Sequence, residues 1–99
     1  MQKVSKIVCV DNAGFVMNFY AEWNGGRSNR TANYPINQSG EVDLTELSIP
    51  KGGEVWPVVK AILGKTNSSA EHVIYDPSSS NTATYTVKGT TLHYSVTLQ

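Results

Sequence analysis

Cysteine occurs once, at Cys9, in this chain of 99 residues. A single thiol excludes an internal disulfide framework and any zinc site built on several cysteines, so packing and hydrogen bonding alone must hold the fold together. Charge is scarce as well. Only 16% of residues are Asp, Glu, Lys or Arg, against about 25% in an average domain, and eight basic side chains balance eight acidic ones. The cations are scattered from Lys3 to Lys88, so no basic stripe suggests nucleic acid and no polybasic run suggests an anionic membrane. Long apolar runs are missing. No segment approaches the roughly 18 residues of a membrane span, and the first ten residues alternate in polarity rather than forming the apolar centre of a signal peptide. The expected location is cytoplasmic, or outside the cell by a leaderless route.

What fills the space is uncharged polarity. Ten Ser, nine Thr, eight Asn and eight Gly supply 35 of the 99 residues, and Val adds 11. Thr and Val favour strands, whereas Ser, Asn and Gly favour turns. The length holds one core, so residues 1–99 form one domain. Three Asn-x-Ser/Thr sequons, at Asn29, Asn37 and Asn67, would matter only in a secretory compartment, and chance accounts for them in a chain of this composition.

Period 2 is clearest over residues 15–23, where Phe15, Met17, Phe19, Ala21 and Trp23 share one face and Val16, Asn18, Tyr20 and Glu22 the other. Residues 3–10 form an earlier apolar strand, and the Asp11-Asn12-Ala13-Gly14 turn is expected to join the two as a hairpin. Residues 24–35 are polar and aperiodic, the pattern of a functional loop or of turns around a short edge strand. A strand over residues 41–47 follows a turn at Gln38-Ser39-Gly40.

Residues 54–63 admit two readings. Val55, Val58, Val59, Ile62 and Leu63 have helical spacing, with Pro57 near the first turn and Gly64 at the cap; the β-branched content favours a strand, which confines Pro57 to an edge or bulge. Strands over residues 71–75, 82–87 and 91–98 complete the chain, the last pair turning at Lys88-Gly89. In these, Ala83, Tyr85, Val87, Leu92, Tyr94, Val96 and Leu98 face the core, while Thr82, Thr84 and Thr86 face out. About eight short strands spaced near ten residues indicate an all-β, single-domain antiparallel β-sandwich of jelly-roll or immunoglobulin-like type.

Chemistry is sparse. Cys9 lies mid-strand beside Val8 and Val10, as a structural thiol does, and neither His72 nor His93 sits in a nucleophile motif, so no enzyme activity is expected. Two histidines and one cysteine make no zinc site. Asp11, Asn12 and Asp76 lie in turns that could offer oxygens to calcium, but ordinary turn chemistry explains them, and no metal or cofactor is expected.

Recognition of a neutral, hydroxyl-rich ligand remains. A sugar needs amide or carboxylate partners for its hydroxyls and an aromatic ring for its C–H face. Trp23, Asn24, Arg27, Asn29, Asn33 and Tyr34 supply that mix within twelve residues and are the candidate ligand-binding set, with Trp56 or Tyr75 contributing from other strands. Each has a bland alternative: Trp23 continues a core face, and Asn24-Gly25-Gly26 is generic turn chemistry.

The opening segment from Val8 through Asp11 and Gly14 to Phe19, and the closing segment from Gly89 through His93 to Val96, resemble the small β-sandwich haemagglutinins of slime moulds and fungi in general character. That resemblance implies a lectin for glycans or glycoproteins on cell surfaces. Agglutination would further require two sites or an oligomer such as a homodimer. Two other classes stand beside it: a membrane-active or defence protein touching lipid headgroups through Tyr20, Trp56 and Tyr75, and a strand-pairing module using the threonine face of residues 82–86.

Overall fold

Met17, Phe19 and Ala21 are fully buried while Tyr20 and Glu22 are half-exposed, so the alternation over residues 15–23 is realised as a strand with one face in the core. The computed structural model describes all residues, Met1–Gln99, as ten strands in two sheets, without an α-helix. In chain order the strands are β1 (Lys3–Val4), β2 (Lys6–Asp11), β3 (Met17–Trp23), β4 (Gly26–Arg27), β5 (Ser39–Asp43), β6 (Glu54–Ala61), β7 (Thr66–Ser68), β8 (Val73–Tyr75), β9 (Thr82–Thr90) and β10 (His93–Leu98). One sheet runs β1-β8-β6-β3-β4, with β7 also pairing to β6; the other runs β10-β9-β2-β5. Between them lies one core of 20 buried side chains, the largest of the fully buried ones being Tyr85, Phe19, Ile7 and Met17. The fold is a β-sandwich, as expected.

The first apolar run is shared between the sheets. The chain changes sheet at Ser5, and its two halves make the parallel pairings of the molecule, β1 with β8 and β2 with β9, among antiparallel neighbours. Residues 54–63 resolve as a strand over Glu54–Ala61. Pro57 is tolerated because it pairs with Ala21, whose N–H and C=O turn outward to Ser28. The position where Pro57 lacks an N–H therefore faces the gap between β8, which pairs with Glu54 and Val55, and β7, which pairs with Val58 to Lys60.

Several local expectations are corrected. Residues 12–16 do not close a hairpin, because β2 and β3 belong to different sheets. Asp11 Oδ1 accepts the Ala13 N–H at 2.9 Å, and the N–H groups of Asn12 and Gly14 donate to Val87 and Gly89, tying the turn to β9 instead of β3. The last hairpin turns at Thr91-Leu92, not Lys88-Gly89. Gly89 sits within β9 opposite Tyr94 at φ 128°, where a Cβ would lie 2.3 Å from the His93 carbonyl oxygen, so glycine is required for close approach rather than for reversal. Leu92, on the turn itself, is exposed and not in the core.

The turn placed at residues 38–40 falls instead at Ile36-Asn37, and the following strand ends at Asp43, whose side chain accepts the Thr45 N–H and starts a 3-10 turn that buries Leu44. Tyr75, assigned to lipid headgroups, is buried. Thr86 is also buried, under Gln99, whose amide meets its hydroxyl, so the threonine face is not an open surface along its length.

Candidate functional site

The loop of residues 24–35 is first an edge guard. Its Ser28, Thr31 and Tyr34 lie along the outer edge of β3 and satisfy alternate residues of that strand. Ser28 Oγ accepts the Ala21 N–H at 2.9 Å, Thr31 Oγ1 accepts the Phe19 N–H at 3.2 Å, and Tyr34 exchanges backbone hydrogen bonds with Met17. Each loop N–H donates back to the facing carbonyl. An open strand edge is thereby closed without a full partner strand.

The six candidate residues separate accordingly. Tyr34 is buried, and its hydroxyl donates to the Cys9 carbonyl at 2.8 Å; Gly40, where a Cβ would sit 2.7 Å from the ring, leaves room for it. Asn33 Oδ1 accepts from the Asn18 amide at 2.9 Å. Arg27 lies with its guanidinium carbon 5.3 Å from the Tyr20 ring centroid, and Arg30 lies 5.5 Å from the same ring. Asn29 borders a separate, shallow depression of about 230 Å³. Only Trp23 and Asn24 reach the largest cleft, of about 460 Å³, where they meet Glu54, Trp56 and His72. The two tryptophans of the chain thus line one opening.

This cleft is built where β3 ends and β6 begins. Trp23 closes β3, and Asn24-Gly25 makes a two-residue turn into β4, with Gly25 at φ 117° and Gly26 accommodating the Trp23 indole. On the opposite wall, Pro50-Lys51-Gly52-Gly53 turns the chain into β6. Strand alternation then buries Val55 and sends Glu54 and Trp56 outward together. Cross-strand pairing puts Glu22 opposite Trp56, and the indole Nε1 donates to Glu22 Oε2 at 3.2 Å. His72, just before β8, stacks on Trp56 with ring centroids 4.3 Å apart and planes 17° from parallel. Its Nδ1 lies 3.0 Å from Glu54 Oε1.

A carboxylate can only accept, so the Glu54 contact places a proton on His72 Nδ1 and leaves Nε2 of the neutral ring as an acceptor. Trp56 is held on two sides, by the Glu22 hydrogen bond and the imidazole face, and needs little ordering when a ligand arrives. The site offers aromatic surface with acceptor atoms on Glu54 and His72 and the Asn24 side chain in the same lining. Donor-rich, uncharged molecules with an apolar face match it.

Glu54 and His72 were not among the candidates from the sequence. Glu54 shares a face with Trp56 once β6 is a strand; His72 comes from a segment 16 residues beyond Trp56 and joins only through the pairing of β6 with β8. In the core, burial pushes the Cys9 thiol and the Tyr34 and Tyr85 hydroxyls above their ordinary ranges. No group of three or more His, Cys, Asp or Glu side chains is arranged to hold a metal ion.

Comparison with family models, with curated proteins and with solved structures found no match.

Proposed function

We propose that the protein is a carbohydrate-binding, lectin-type recognition module whose site is the Trp23–Trp56 cleft, with cell-surface glycans as its partners. The observation that carries this reading is the pre-set Trp56 ring, stacked on His72 and bonded to Glu22, in an opening shared with the other tryptophan. Glu54, His72 and Asn24, which line the same cleft, supply the polar groups that a pyranose there would need for its hydroxyls. Every side chain assigned a role binds or orients, and none transfers a group, so the reading is non-catalytic.

A glycan array identifies the sugar, and titration followed by tryptophan fluorescence measures it. Trp56→Ala is expected to weaken binding by about tenfold or more, the scale of losing one buried aromatic contact, while the thermal melt stays close to wild type because Trp56 is outside the core. Absence of binding to every glycan, or full affinity in Trp56→Ala, removes this site. One cleft per chain means that agglutination of cells requires a homodimer or larger assembly.

A further inference from the structure

Four large aliphatic side chains besides Met1 are exposed: Val16 at 40%, Ile36 at 47%, Leu92 at 56% and Leu63 at 98%. They lie far apart in sequence, yet each sits on a different loop at the same end of the sandwich, away from the tryptophan cleft. Backbone hydrogen bonds tie these loops together: Ile62 to Val16, Lys65 to Thr91, Gly14 to Gly89 and Asn37 to Asp11. Leu63 occupies the tip of the β6–β7 turn at φ 61°, a backbone conformation costly for a leucine, and no packing contact accounts for its choice there.

Charge is sorted at this end as well. Residues 12–16, 34–38, 60–66 and 88–93 contain no Asp or Glu but do contain Lys60, Lys65 and Lys88. None of the three lysines is in a salt bridge; the lysine that is paired is Lys6, with Glu41. The nearest carboxyl in sequence, Asp11, is fully buried. A chain of zero net charge therefore presents a cationic end tipped with one aliphatic side chain per loop.

We propose that this end docks on an anionic lipid bilayer, with Leu63, Leu92, Ile36 and Val16 entering the interface and the lysines lying among the headgroup phosphates. Aliphatic tips alone would suit another apolar protein surface; the collar of unpaired lysines without carboxylates selects a surface dense in negative charge. No helix long enough to span a membrane is present, and none is needed for interfacial docking.

Co-sedimentation with phosphatidylcholine vesicles, with and without phosphatidylserine, tests this. Wild-type protein is expected to bind the phosphatidylserine vesicles and to release as salt shortens the screening length. Lys65→Ala and Lys88→Ala should each weaken binding about fivefold, and the double variant Leu63→Asp, Leu92→Asp by at least about tenfold. Both leucines are exposed, so an unchanged melting temperature separates lost docking from lost fold. Trp56→Ala is expected to bind vesicles like wild type, which keeps this test distinct from that of the sugar site. Failure of wild type to sediment at low salt, or undiminished binding by the double leucine variant, overturns the proposal. So does a concentration-dependent dimer that binds no lipid and is lost in that variant, which would assign the end to a second copy of the chain.

Discussion

Asp11 is fully buried, and its two oxygens are treated unequally: Oδ1 accepts the Ala13 N–H, while Oδ2 has no partner. Burial raises its carboxyl above the ordinary carboxylate range, and the Ala13 hydrogen bond opposes the rise. The folded chain then holds this proton more tightly than the unfolded chain does. Its stabilising effect is fully present below the unfolded value and is lost as pH rises through the interval up to the raised folded value. Asp43 and Asp76 act in the opposite sense: the Thr45 and Ser78 hydroxyls lower them, so what they contribute is lost only at more acidic pH. Comparing wild type with Asp11→Asn isolates the buried group, because the other two titrate alike in both. As pH rises from the ordinary carboxylate range through the raised folded value, the stability difference should move in favour of Asp11→Asn. A difference that stays constant in denaturant titrations over that range would show that the carboxyl ionises normally.

At the scale of elements, the telling feature is how β3 is finished. A strand with Phe19 and Ala21 fully buried would expose bare N–H groups along its outer edge, and two hydroxyls on the 24–35 loop close them. Ser28→Ala and Thr31→Ala each remove the acceptor of a strand N–H, so each is expected to cost about 1–3 kcal/mol in denaturant unfolding. The double variant should also aggregate faster, since an uncovered edge invites pairing with a second chain. Equal stability of both single variants to wild type would mean that the loop guards nothing. The β6 strand shows the same economy, with its proline aimed at the gap between two short partners rather than at a ladder bond.

For the whole molecule, the two proposed binding surfaces occupy opposite ends of one core, in a body 35 Å long. The cleft opens where β3 ends and β6 begins, and the aliphatic tips cluster where β3 begins and β6 ends. What lies between them is the packed interior of both sheets. Binding at one end should therefore leave the other unchanged, and the sugar affinity measured with the protein on phosphatidylserine vesicles should equal that in solution. An affinity shifted by more than about threefold would indicate coupling across the core, for which the structure offers no two-state element. A glycan reader anchored on lipid through its far end would present its cleft away from the bilayer.

The local pattern of residues was enough to establish an all-β domain and the buried faces of β3 and β9, because strand alternation and turn chemistry act over neighbours in sequence. It also brought Trp23, Asn24 and Trp56 into the discussion of a site, since aromatic and amide types are recognisable anywhere. It misplaced the β2–β3 connection, because whether a turn closes a hairpin or crosses between sheets depends on what its N–H groups find, and those of residues 12–14 find β9 and Asp11. Tyr34 seemed a ligand residue until the gap above Gly40 took its ring into the core. The association of Glu54 and His72 with Trp56, and the gathering of Val16, Ile36, Leu63, Leu92 and three dispersed lysines at one end, exist only after distant strands have paired. Composition and period are properties of a chain read in order, whereas a binding surface is defined by which segments the sheet registers bring side by side.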